Sequence, residues 1–121
     1  MKTILIVEDE PWLAQAYCQA LQQAGYRVAT SRTAEAAIVD IDQHHPDLIV
    51  LDMLLPGANG LQLVHEVRSH HDLLHVPVIV CSSTRLPFTD EQLLAYGVVR
   101  NLPKASVTPK VLLRAVKEAL A

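Results

Sequence analysis

The sequence predicts an α/β fold, a parallel sheet covered by helices on both faces, in one domain spanning residues 1–121. Two observations lead there. Five short apolar runs alternate along the chain with segments whose apolar residues recur at helical spacing. The runs are apolar nearly throughout instead of alternating, as strands buried on both faces are. The composition agrees: half of the 121 residues are hydrophobic and 19% are charged, which argues against disorder. A chain of this length buries roughly two-thirds of its unfolded surface, enough for one core without staples.

The first strand is expected over 4–7, ended by Glu8, Asp9 and Glu10. Pro11 suits the first helical turn, where its missing N–H costs nothing. Leu13, Ala16, Tyr17, Ala20, Leu21 and Ala24 then keep helical spacing until Gly25 stops the helix. A second strand over 26–30 is made more polar by Arg27, as an edge strand would be. Thr33 can cap a helix running to about His44, and Pro46 closes it.

Residues 48–51 are the most apolar strand and run directly into Asp52. Leu55-Pro56-Gly57-Ala58-Asn59-Gly60 is turn chemistry, followed by a third helix with Leu61, Val64 and Val67 inward. The fourth strand is expected over 76–81. Thr89-Asp90-Glu91-Gln92 has the capping-box pattern and opens a fourth helix with Leu93 and Leu94, stopped at Gly97. The fifth strand follows over 98–102. Thr108 and Pro109 then supply an N-cap and a first-turn proline for a fifth helix with Leu112, Ala115, Val116 and Ala119 inward. No linker, repeat or second domain is expected.

Composition also excludes classes of function. A net charge of −3 gives no footprint for nucleic acid, and 4% aromatics build no base-stacking platform. The two cysteines, Cys18 and Cys81, have no metal-like spacing and read as buried thiols in a reducing compartment. The apolar run before the first acids is too short for a signal peptide or a membrane span. The expected location is cytoplasmic, with no membrane contact.

In a parallel α/β sheet, ligands bind beyond the carboxyl ends of the strands. Those ends carry Glu8-Asp9-Glu10 after strand one, Asp52 after strand three, Ser82-Ser83-Thr84 after strand four and Pro103-Lys104 after strand five. Clustered carboxylates repel one another, so such a rim wants a hard divalent cation bound through oxygen. Mg²⁺ keeps several waters and recruits phosphate oxygens, leaving room for a phosphodonor. Lys104 would bring a compact positive charge to one phosphate oxygen and Ser82 a hydrogen bond to another. Asp52 would be the nucleophile, since carboxylates form acyl phosphates.

Taken together, Ile4-Leu5-Ile6-Val7-Glu8-Asp9-Glu10, Leu51-Asp52-Met53-Leu54-Leu55-Pro56-Gly57-Ala58-Asn59-Gly60 and Leu102-Pro103-Lys104 resemble bacterial two-component response-regulator receiver domains of the chemotaxis-regulator kind. The resemblance covers nearly the whole chain. It implies a flavodoxin-like three-layer sandwich, a five-stranded parallel sheet in order 2-1-3-4-5 with five helices. It implies Asp52 as phosphoacceptor, with Lys104 and Ser82 assisting. Asp9 would bind Mg²⁺ (or Mn²⁺) directly, Glu8 mainly through a water, and Asp52 and the Met53 carbonyl would complete the protein ligands. The donor would be a sensor histidine kinase or a histidine phosphotransferase. The recipient of the signal would be an effector protein or a fused output domain, reached through the face of helix four, strand five and helix five, a face also suited to homodimerisation. The chain would catalyse only its own phosphorylation and dephosphorylation.

The chain departs from the family pattern at Asn101, where an aromatic is usual, at Ser83, where alanine is usual, and at Ala105, where a proline follows the lysine. A cis bond before alanine costs about 3 kcal/mol, so the bond to Ala105 is expected trans. Pro87 and the late capping box point to a short or displaced fourth helix. These changes leave room for a second reading, a degenerate receiver acting only as a phosphorylation-independent binding module.

Plainer readings stand beside the sharp ones. Glu8-Asp9-Glu10 alone would be a solvated helix start, Ser82 a strand-end hydroxyl and Lys104 a surface lysine; their common placement favours function. Trp12 reads as helix-start packing. The six histidines include His71 and His75 four apart, but no cysteine or carboxylate set completes a metal site there. A dehalogenase-like phosphatase would need a second aspartate two residues after its nucleophile, where Leu54 stands. A flavin phosphate would be repelled by the acidic rim.

Overall fold

The protein is described by a computed structural model at residues 1–52, 64–65, 68–69, 75–82 and 89–121. Strands β1 (Thr3–Val7), β2 (Arg27–Ser31), β3 (Leu48–Asp52), β4 (Val78–Ser82) and β5 (Val98–Pro103) form one sheet in the order β2-β1-β3-β4-β5. Every neighbouring pair is parallel. The expected fold class and strand order are therefore those observed. Helices α1 (Pro11–Gln23), α2 (Ala34–His44), α3 (Asp90–Ala95) and α4 (Pro109–Ala119) complete the described elements. They correspond to the first, second, fourth and fifth helices expected. The expected third helix falls largely outside the described residues, where Val64, His65, Arg68 and Ser69 are helical. The turn at 55–60 also lies outside them.

Successive strand residues point to opposite faces, so each strand feeds two cores. Ile4, Ile6, Leu48, Val50, Ile79 and Cys81 meet Tyr17 and Leu21 of α1 and Leu112 and Val116 of α4. Leu5, Val7, Ile49, Leu51 and Val80 meet Ala37 and Ile41 of α2, Leu93 of α3, and Val64. All residues of β1, β3 and β4 are buried, which is why those runs carry no polar alternation. Edge strand β2 exposes Arg27 and Thr30. Among the described residues, no helix is long and apolar enough to cross a membrane.

The punctuation read from the sequence is local chemistry, and it holds. Gly25 takes φ +98° just past α1. The hydroxyls of Thr33, Thr89 and Thr108 accept the N–H groups of Ala36, Gln92 and Val111. The Gln92 side chain returns a bond to the Thr89 N–H, closing the capping box. Four expectations need correction. Strand β4 starts at Val78, since Pro77 has no N–H for the ladder. Leu94 is exposed, because α3 has only 6 residues and one inward position, Leu93. Trp12 is 69% exposed and packs no helix start. Cys18 is only partly buried, whereas Cys81 is buried.

Candidate functional site

Register carries the site residues to one edge. Val7 pairs with Leu51, so Glu8 and Asp52 each stand one residue beyond a paired position on adjacent strands. Ser82 pairs with Pro103, which puts Lys104 one step past the same edge. The Lys104 Nζ lies 2.7 Å from Asp52 Oδ2, and 3.2 Å and 3.4 Å from the two Glu8 carboxylate oxygens. Glu8 and Asp52 are each 3% exposed. Glu8 Oε2 also accepts the Glu10 N–H at 3.3 Å, tying the end of β1 to the start of α1. Ligand atoms of Glu8, Asp9 and Asp52 all lie within 4.8 Å of one another.

The electrostatics follow from burial and from these neighbours. Burial pushes the Glu8 carboxyl up to about 7, helped by a hydrogen bond with Asp9 and the charge of Asp52 and opposed by the Glu10 N–H and Lys104. Burial by itself would lower the Lys104 ammonium. Its hydrogen bond to Asp52 and the charges of Asp52 and Glu8 outweigh that and hold it above its ordinary value. Burial also raises the Tyr17 hydroxyl and the Cys81 thiol to about 12, with Glu8 and Asp52 adding to both. Both groups stay neutral near pH 7, so Cys81 brings no thiolate chemistry to the pocket.

Three carboxylates facing one ammonium leave an excess of negative charge. The donors are all oxygen, the chemistry that hard divalent cations prefer. Mg²⁺ therefore fits this cluster, with Glu8, Asp9 and Asp52 as the side chains within reach. The expected fourth ligand, the Met53 carbonyl, lies outside the described residues, as does Ser83.

The sign of the Glu8 shift gives an expected pH dependence. Its folded value of about 7 exceeds the ordinary 4.5, so the native state holds this proton more tightly. The contribution to stability is full below pH 4.5 and is lost as pH rises through 7. Divalent cation binds the ionised form, so stabilisation by Mg²⁺ should grow over the same interval. Thermal melts in EDTA and in Mg²⁺ from pH 5 to 8 should move in opposite directions for this group, and Glu8→Gln should flatten both trends. Parallel trends unaffected by the substitution would contradict the assignment.

Of the residues expected at the site, Glu8, Asp9, Asp52 and Lys104 converge. Ser82 sits buried at the tip of β4, with its hydroxyl donating to Asn101 Oδ1 at 3.3 Å. Sequence reasoning misses that partnership because it depends on strand register: Val80 pairs with Asn101 and Ser82 with Pro103, which puts Asn101 diagonally beside Ser82 on one face. No cis peptide occurs among the described residues, so the bond from Lys104 to Ala105 is trans as expected, within a 3-10 turn over Lys104–Ser106.

A parallel sheet in this order, with buried acids and a lysine meeting at its carboxyl edge, defines a flavodoxin-like α/β protein with its site at the strand tips. Residues 4–117 match the response regulator receiver domain family, and the chain belongs to that family, the receivers of two-component signalling. Its relatives include the polar-differentiation response regulator DivK of Brucella ovis, 27% identical over 109 residues that make up 90% of this chain and 89% of DivK. The probable transcriptional regulatory protein TcrX of Mycobacterium tuberculosis is 38% identical over 74 residues, 61% of this chain and 32% of TcrX. The match thus spans about a third of that longer relative. The response regulator TrrA of Thermotoga maritima, solved in complex with Mg²⁺-BeF, superposes with a TM-score of 0.82 at 28% identity, covering 98% of this chain and 99% of TrrA.

Proposed function

We propose that this chain is a phosphoacceptor switch in which Asp52 takes a phosphoryl group from a phosphohistidine donor. The observation that carries the reading is the Lys104 ammonium 2.7 Å from Asp52, inside a cluster of three convergent carboxylates. In the transfer, a carboxylate oxygen of Asp52 forms a bond to phosphorus as the bond from phosphorus to the donor nitrogen breaks, and the imidazole leaves. Lys104 turns from Asp52 toward a phosphoryl oxygen, and the Ser82 hydroxyl donates to another. Asp9, Asp52 and the Met53 carbonyl, with Glu8 acting mainly through a water, would hold Mg²⁺, which would neutralise the developing charge. TrrA, bound to Mg²⁺-BeF, supports the reading by its likeness.

The donor is a sensor histidine kinase or a histidine phosphotransferase, and the signal passes to an effector protein or a fused output domain. The responding surface is the face of α3, β5 and α4, where Leu94, Val99 and Val111 are exposed. A groove of about 320 Å³ lies between α3 and β5, and the same face serves any homodimer. The chain is a cytoplasmic switch, not a turnover enzyme.

Incubation with acetyl phosphate and Mg²⁺ tests the chemistry. The intact mass should rise by ~80 Da in the wild type and stay unchanged in Asp52→Ala. An adduct that persists in Asp52→Ala places the chemistry elsewhere. Absence of any adduct in the wild type leaves the degenerate, phosphorylation-independent binding module as the reading.

A further inference from the structure

We infer that Asp40 is a positioning residue for the acidic site: through the Ser31 hydroxyl it holds the end of β2, whose carbonyl holds the Glu8 backbone, and so it sets the affinity of the site for a divalent cation. The inference rests on the reading of Glu8, Asp9 and Asp52 as a cation site and extends it to helix α2. Among the described residues, four buried polar side chains stand at the carboxyl ends of the strands: Glu8, Asp52, Ser82 and Ser31. The first three belong to the site already described. Ser31 closes β2 opposite Val7, on the face that Leu5 and Val7 share with Ala37 and Ile41 of α2. Its hydroxyl donates to Asp40 Oδ2 in the second turn of α2. Its carbonyl accepts the Glu8 N–H at 2.9 Å, one step past the last paired residues of β1 and β2.

These contacts form a chain of three links from α2 to the cluster. A small apolar side chain at residue 31 would fill the place without needing a partner. A hydroxyl bound to a carboxylate also fixes a direction, because such bonds are directional and stronger than neutral ones. The ends of strand ladders are where local opening is cheapest. With the Ser31 side chain held to α2, the peptide plane that receives the Glu8 N–H stays in place. Glu8 is then fixed at both ends, its main chain by Ser31 and its carboxylate by the Glu10 N–H and Lys104. Mg²⁺ demands near-ideal geometry of what surrounds it, and hydrogen-bonded outer groups supply that order. The linkage is reciprocal: a cation held at the cluster should slow opening of the Glu8 N–H.

Calorimetric titration of Mg²⁺ into the metal-free chain reads the link. Ser31→Ala and Asp40→Ala should each weaken binding by about three- to tenfold, the range of one modest hydrogen bond. The double variant should lose no more than either single one, since both changes break the same link. Asp40→Asn keeps an acceptor oxygen and should stay within about twofold of wild type. Exchange of the Glu8 amide should quicken in both alanine variants while the amides inside β1 keep their protection, a local effect that general loss of packing would not give. Melting in EDTA checks folding, and Ser31→Ala, the smaller change, decides the matter if Asp40→Ala does not fold. Wild type that binds no Mg²⁺ sinks the cation reading and this link with it. Wild type that binds, with the folded alanine variants at wild-type affinity, overturns the link alone. Equal losses in Asp40→Asn and Asp40→Ala with Ser31→Ala unaffected overturn it too, since Asp40 would then act only as a distant charge.

Discussion

Replacing Lys104 by methionine should slow phosphorylation of Asp52 by a factor on the order of 10²–10³, the usual loss when one preorganised donor to a developing oxyanion is removed. Methionine keeps most of the side chain's length and removes its charge and its N–H donors. The same change should destabilise the metal-free chain at pH 8, by roughly 3–5 kcal/mol, since removing one partner leaves buried charge uncompensated. Lys104 sits 2.7 Å from Asp52 and 3.2 Å from Glu8, and both acids are 3% exposed. The sign with pH distinguishes this cause from lost packing. Glu8 already holds its proton well below pH 7, so the penalty should shrink at pH 5. Saturating Mg²⁺ should shrink it as well, by supplying positive charge to the same oxygens. Urea melts of wild type and Lys104→Met, at both pH values with and without Mg²⁺, check all of this. A penalty equal under all four conditions would mean that the methionine had merely disturbed the core.

The two outcomes expected of Lys104 depend on a cluster that is legible in the sequence, for a physical reason. In a parallel sheet every strand points its carboxyl end the same way, so residues just past the apolar runs share one edge whatever lies between them. Glu8, Asp52 and Lys104 each follow such a run. Caps are legible because they are local: Thr89 and Gln92 find each other within one turn. Strand pairing order is not legible from periodicity, which constrains faces and not neighbours; it comes from the resemblance of the motif strings.

What escapes the sequence is decided by partners distant along the chain. Val76 belongs by composition to a strand, yet its carbonyl accepts the Arg68 guanidinium and the ladder begins two residues later. Leu94 fits the helical apolar pattern, but α3 ends before a second inward turn forms. Asn101 stands where the resemblance leads one to expect an aromatic. Its bond to Ser82 requires knowing which residues of β4 and β5 face each other, and the irregularity between Val78 and Ile79 moves that register by one. Count along the chain alone does not supply it.

The same region holds the second large effect: Gly97→Ala should cost about 3–5 kcal/mol and lower the melting temperature sharply, while leaving the pocket chemistry intact. Two penalties add. Gly97 has φ +83°, where a Cβ costs roughly 1–2 kcal/mol. A Cβ there would also overlap the Arg68 guanidinium. That guanidinium donates to Tyr96 O at 2.7 Å and to Val76 O at 2.5 Å, joining the end of α3 to the entry of β4. Displacing it gives up hydrogen bonds to a charged group, each worth about 1.5–3 kcal/mol, though relaxation recovers part. Gly25 provides the control. It has φ +98° but nothing within 4 Å of where a methyl would sit, so Gly25→Ala should show the backbone penalty alone. In an Arg68→Ala background, Gly97→Ala should fall to that same smaller cost. Equal losses for the two glycine variants, or a Gly97→Ala cost that persists without Arg68, would show that the guanidinium is not what a methyl at Gly97 disturbs.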